Sequence, residues 1–116
     1  MRENLILQKT YSFALKIIRV YILLKDDKEY LLSKQLLRSA TSIGAKAEEG
    51  SAAQTRKDFI AKFSIALKEA KETHYWLRLL RDSNILEKAT ADVLMIECEE
   101  IQKIITSILK TSRKNS

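Results

Sequence analysis

The sequence predicts an all-α fold, an antiparallel up-down-up-down four-helix bundle, from three observations. Apolar residues recur at spacings of three and four in four separate stretches, proline is absent, and the only glycines are Gly44 and Gly50. That spacing marks one face of a helix, and a chain so poor in the residues that punctuate strands and turns favours long helices. At 116 residues the chain fits one domain, 1–116, and is too short for two independent cores.

The first stretch carries two apolar rows. Leu7, Tyr11, Ala14, Ile18 and Tyr21 form one predicted buried face, and Ile6, Thr10, Phe13, Ile17, Val20 and Leu24 form a second beside it. An arc this wide exceeds a single coiled-coil seam and calls for neighbours on two sides. Asp26 to Glu29 then make a polar connection. Ser33 is the expected N-cap of the second helix, whose face is Leu36, Ala40, Ile43 and Ala47, with Leu37 and Gly44 alongside. Gly44 costs about 1 kcal/mol of helix propensity, which a close helix crossing would explain, and Gly50 suits a helix end.

Thr55 followed by Asp58 has capping-box spacing and opens the third helix. Its seam, Phe59, Phe63, Ala66, Ala70, Thr73, Leu77 and Leu80, stops at Asp82-Ser83-Asn84. The fourth helix starts near Glu87 and carries Leu94, Cys98, Ile101, Ile105 and Ile108. Residues 111–116 are expected to fray. Short connections between four amphipathic helices imply antiparallel neighbours.

Composition limits function. A lone cysteine, Cys98, cannot form a disulfide within the chain and suits a reducing cytoplasmic interior, bacterial or eukaryotic. Neither a signal-peptide core nor an uncharged stretch long enough to cross a bilayer is present, so no membrane role is expected. Twenty-one basic against fifteen acidic residues leave a net charge of +6, which favours acidic partners. Residues 53–83 carry +3 of it, whereas 84–116 are balanced, acids early and bases late, as the helix dipole prefers.

Tyr30-Leu-Leu-Ser-Lys-Gln-Leu-Leu-Arg-Ser-Ala-Thr-Ser-Ile-Gly-Ala45, Glu49-Gly50, Lys57-Asp-Phe59 and Ala66-Leu-Lys-Glu-Ala-Lys-Glu-Thr-His-Tyr-Trp-Leu77 resemble the four-helix-bundle proteins associated with 23S ribosomal RNA intervening sequences. The likeness covers nearly the whole chain and is most specific in the second helix. There Lys46, Ala47 and Glu48 replace the family's usual asparagine, aliphatic residue and alanine, while Arg38, Ser42, Glu49, Gly50 and Glu72 match. The family is similar to the accessory protein of diversity-generating retroelements, a pentameric barrel that binds nucleic acid and a reverse transcriptase. The resemblance implies a homo-oligomer, a pentamer, with RNA, a ribonucleoprotein, or a reverse transcriptase or other acidic protein as partner.

Two basic rows stand out as candidate nucleic-acid contacts. Lys57, Ser64, Lys68, Lys71, Tyr75 and Arg78 share a stripe roughly 200° around the third helix from its apolar seam, and Lys9, Ser12, Lys16 and Arg19 form a similar row on the first. Cations interleaved with hydroxyls and an aromatic suit phosphate contact. A solvated face gives the same pattern. Trp76 shares a mixed apolar and acidic stripe with Ile65, Glu69, Glu72 and Leu79, fitting either a subunit interface or packing within one chain. Glu49 or Glu72 is expected to pair with Arg38 in a network that fixes register.

Catalysis is not expected. Two separated glycines build no phosphate-binding loop, Lys71 stands where a di-iron Glu-x-x-His motif would need glutamate before His74, and one histidine with one cysteine leaves a zinc site dependent on carboxylates. His74 reads as a boundary residue and Cys98 as an inert core thiol. No metal or cofactor is anticipated.

Overall fold

The computed structural model describes residues 2–115, with side chains from Asn4 onward; the two ends of the predicted domain, Met1 and Ser116, lie outside the described residues. Four helices follow in order: α1 (Arg2–Asp26), α2 (Leu31–Ser51), α3 (Arg56–Asp82) and α4 (Lys88–Lys114). Each packs on its sequence neighbours and α1 also meets α4, which closes a four-helix bundle with extents of 47 × 20 × 19 Å. The segment expected to fray is helical through Lys114. Arg113 donates to Ser64 Oγ at 3.2 Å and Arg56 donates to the Asn115 carbonyl, so the start of α3 tethers the last turn of α4.

The predicted seams of α2, α3 and α4 are buried as rows, with Phe59 half-buried at the start of α3. On α1 only the second row is core: Ile6, Thr10, Phe13, Ile17, Val20 and Leu24 are buried, while Tyr11 is 66% exposed and Ile18 38% exposed. The reason is geometric. A corner helix has two neighbours, so Leu7, Ala14 and Tyr21 reach half-burial beside the core row and the rest of the wide arc faces outward.

Capping differs from expectation at α2. Ser33 lies inside the helix, and the Glu29 carboxylate accepts from the Leu32 and Ser33 backbone N–H groups at 3.1 and 2.7 Å. A carboxylate suits the positive end of the helix dipole better than a hydroxyl. The Thr55 cap is as predicted, accepting from Asp58 N–H at 3.1 Å. Asn84 ends the α3 turn with φ 63°, a left-handed conformation that asparagine tolerates.

The α2–α3 seam is built of small residues. A Cβ on Gly50 would stand 2.7 Å from the Phe63 ring, so Gly50 serves close packing inside the last turn of α2 and not a left-handed helix end. Gly44 faces α1, where a Cβ would meet Thr10 at 3.4 Å. Between α2 and α3 the buried hydroxyls of Ser39 and Thr73 lie 2.8 Å apart, a satisfied polar pair worth about 1 kcal/mol.

Candidate nucleic-acid interface

α3 holds its cationic stripe outward because the opposite side of the helix is committed to the Phe63 to Leu80 seam. Lys57, Lys68, Lys71, Tyr75 and Arg78 are all exposed, with Ser64 half-buried among them. Among the described residues none of the four cations forms an ion pair, and three of the four carboxylates on α3, Glu69, Glu72 and Asp82, are engaged elsewhere. The Arg78 guanidinium sits 5.6 Å from the Tyr75 ring centroid, a cation–π contact worth about 0.5–1 kcal/mol when exposed. Arg81, one turn further, is taken out of the stripe by Asp82 and Asp92, each at 2.9 Å.

The fold adds cations that sequence reasoning did not assign to this face. Lys103 and Lys110 of α4 line the same groove as Lys71, with Gln102, Thr106 and Ser107 between them. Glu99, the one carboxylate in that groove, lies 2.8 Å from His74 Nε2. The late basic residues of α4 look in sequence like complements to the helix dipole. The signal that would have found them is the antiparallel alignment of α3 with α4, which sets the seven-residue step from Lys103 to Lys110 beside the middle of α3.

The α1 row has a different fate. Lys9 pairs with Glu100 at 3.1 Å and Lys16 with Glu97, so two of its three cations bridge the seam to α4. Arg19 stays exposed without an ion pair among the described residues, beside Val20, Val93 and Leu94. The two predicted rows therefore do not join into one site, since α1 and α3 occupy opposite corners of the bundle.

Arg38, Glu72 and Trp76 do meet. Arg38 bridges from α2 to Glu72 and, at 3.2 Å, to Glu69, and Trp76 Nε1 donates to Glu72 at 2.9 Å. The network lies within one chain and pins α2 to α3. Glu49 is not part of it: its carboxylate lies 3.0 Å from Lys62 and 3.4 Å from Lys46, and the Lys62 hydrogen bond, helped by the charges of Lys46 and Lys62, outweighs the opposing effect of burial and holds its pKa below the usual carboxylate value.

A profile of the 23S rRNA-intervening sequence proteins matches residues 2–107. The chain belongs to this family. A family relative of known structure is a protein of unknown function from the S23 ribosomal protein family of Bacteroides thetaiotaomicron, solved at 1.70 Å; it is 43% identical, with a TM-score of 0.91 over 95% of this chain and 99% of that one. No curated protein matches. Lys46 pairs with Glu49 within α2 and Lys62 reaches the same carboxylate from α3, so this edge between α2 and α3 is held by charge.

Other reactive groups are occupied. Cys98 is buried and donates to the Ala70 carbonyl at 3.1 Å, and burial pushes its thiol up to about 11. No three His, Cys, Asp or Glu side chains converge among the described residues, and no described helix is long and apolar enough to cross a membrane. α1 also carries an exposed apolar row: Tyr11, Leu15, Ile18 and Ile22, at spacings of four, three and four, run along its outer face, with Ile22 51% exposed.

Proposed function

We propose that this chain is a non-catalytic homo-oligomer, a pentamer, that binds RNA or a ribonucleoprotein through the basic face of α3 and α4. The observation that carries the reading is the row of exposed cations Lys57, Lys68, Lys71 and Arg78, none held by a carboxylate among the described residues. Free cations release condensed counterions when they meet phosphates, and that release drives most nucleic-acid affinity. Membership of a family named for a ribosomal RNA insertion supports RNA as the acidic partner.

The outer seam of α1 supports self-association. Four large apolar side chains at heptad spacing form the kind of stripe one helix offers another, and a second copy would cover it. Repetition of the basic face around an oligomer would strengthen its field.

Fluorescence anisotropy with labelled RNA over a salt series tests the binding reading: affinity should fall steeply with salt, and an absence of binding at low salt removes it. Sedimentation at micromolar concentration tests assembly, which Ile18→Glu with Ile22→Glu should dissociate while leaving helicity intact. A second reading, a scaffold for an acidic protein such as a reverse transcriptase, is favoured by an apolar patch of Tyr30, Leu31 and Ile85 at one end of the bundle, Leu31 being 80% exposed. Partners that survive nuclease treatment would favour the scaffold.

A further inference from the structure

Resting on the RNA-binding reading above, we infer that the ligand of the α3–α4 face is the backbone of double-helical RNA, held between two rows of cations and read without regard to base sequence. The first row, Lys57 to Arg78, runs roughly 30 Å along one straight helix at 1.5 Å per residue. The second, Lys103 and Lys110, borders the same groove as Lys71. The His74–Glu99 and Ser64–Arg113 contacts fix how α4 lies against α3. Lys110 therefore falls beside the gap that separates Lys57 from Lys68. Between the rows the lining is amide and hydroxyl, from Gln102, Thr106 and Ser107, together with the Glu99 carboxylate, which His74 engages.

This arrangement suits a duplex better than a single strand. An RNA duplex hides its bases and offers two phosphate strands flanking a wide, shallow groove rich in 2′-hydroxyls. Single strands are gripped by stacking splayed bases on open aromatic faces. Here the exposed aromatic beside the cations is Tyr75, and its ring already has the Arg78 guanidinium 5.6 Å from its centroid and the Trp76 ring in an edge-type contact, centroids 5.2 Å apart. Trp76 itself is tied to Glu72, on the side of α3 that faces α2. The face is rich in places for phosphates and poor in places for bases.

Anisotropy with an RNA duplex of about 16 base pairs, long enough to present two successive minor grooves, and with one of its strands alone, decides the matter at a single salt concentration. The duplex should bind at least about tenfold more tightly, and duplexes of unrelated sequence should agree within about threefold. A strand that binds as well as its duplex overturns this inference and leaves the RNA-binding reading standing; failure of both to bind overturns that reading as well. Equal affinity for a DNA duplex of the same sequence overturns the assignment to RNA. Lys103→Glu with Lys110→Glu, which removes the second row, should lower duplex affinity by about 30-fold or more and strand affinity far less. Equal losses, or none, would sink the two-row arrangement; Lys103→Ala with Lys110→Ala repeats the test without charge reversal should the first variant lose helicity.

Discussion

The basic rows of α1 and α3 are alike in composition and opposite in circumstance. Lys9 and Lys16 face the flank of α4 that carries Glu97 and Glu100, and they are bound there. Lys71 borders the other flank, where α4 contributes Lys103 and Lys110 and its one nearby carboxylate is engaged by His74. One helix, presenting acids to one neighbour and cations to another, thus decides which row stabilises the bundle and which remains available to a ligand. A row of lysines acquires a function only through what stands across from it.

The largest expected effect tests that contrast directly. Lys68→Glu, Lys71→Glu and Arg78→Glu together should weaken RNA binding by at least about 100-fold and flatten its salt dependence, since each lost phosphate contact reduces the slope by about one. Far-UV circular dichroism should be unchanged because all three side chains are exposed. Lys9→Glu with Lys16→Glu should alter binding by less than about threefold and instead cost a fraction of a kcal/mol of stability, as exposed ion pairs do. Equal losses of RNA affinity from the two sets would erase the distinction between the rows.

The same contrast of look-alikes applies to the glycines of α2. Both interrupt a helical pattern, and sequence alone assigns Gly44 to a crossing and Gly50 to a helix end. The environments reverse the emphasis. Alanine at 50 would drive a methyl group to 2.7 Å from the buried Phe63 ring, and overpacking of this kind costs about 1–3 kcal/mol. Alanine at 44 meets Thr10 at 3.4 Å, the edge of ordinary contact, and gains up to about 1 kcal/mol of helix propensity. Thermal unfolding should show Gly50→Ala destabilised and Gly44→Ala neutral or slightly stabilised; the opposite order would place the tight seam between α1 and α2.

Most of the fold was legible because burial in a bundle repeats with the helix. The seams of α3 and α4 could be read residue by residue. α1 was ambiguous for a physical reason: its apolar arc is wider than two neighbours can cover, so periodicity could not say which row turns inward. Glu29 was missed as the α2 cap because Ser33 has the better propensity, and propensity cannot show which side chain reaches the free N–H groups. The α3 half of the candidate interface was visible in the same way as its core. Its α4 half was not, since Lys103 and Lys110 fall beside Lys71 only once two antiparallel helices are aligned.

Arg81 sharpens the rule within α3, and its test carries the smallest effect. It is a cation of the same helix, yet α4 supplies Asp92 opposite it at 2.9 Å, and Asp92 also accepts from Lys88 at 2.6 Å. The hydrogen bond from Lys88 and then that from Arg81 lower the Asp92 carboxyl from its ordinary 3.8, against a smaller opposing effect of burial. A carboxylate whose folded pKa lies below its unfolded value adds stability that is present above the unfolded value and is lost as pH falls through the folded one. Melting temperatures should therefore separate the native chain from Asp92→Asn at pH 7 and bring them together once the medium is acid enough to protonate Asp92 in the folded state. RNA affinity should be nearly indifferent to Asp92→Asn, because Arg81 lies beyond the open row; a marked gain on freeing Arg81 would extend the binding face one turn further along α3.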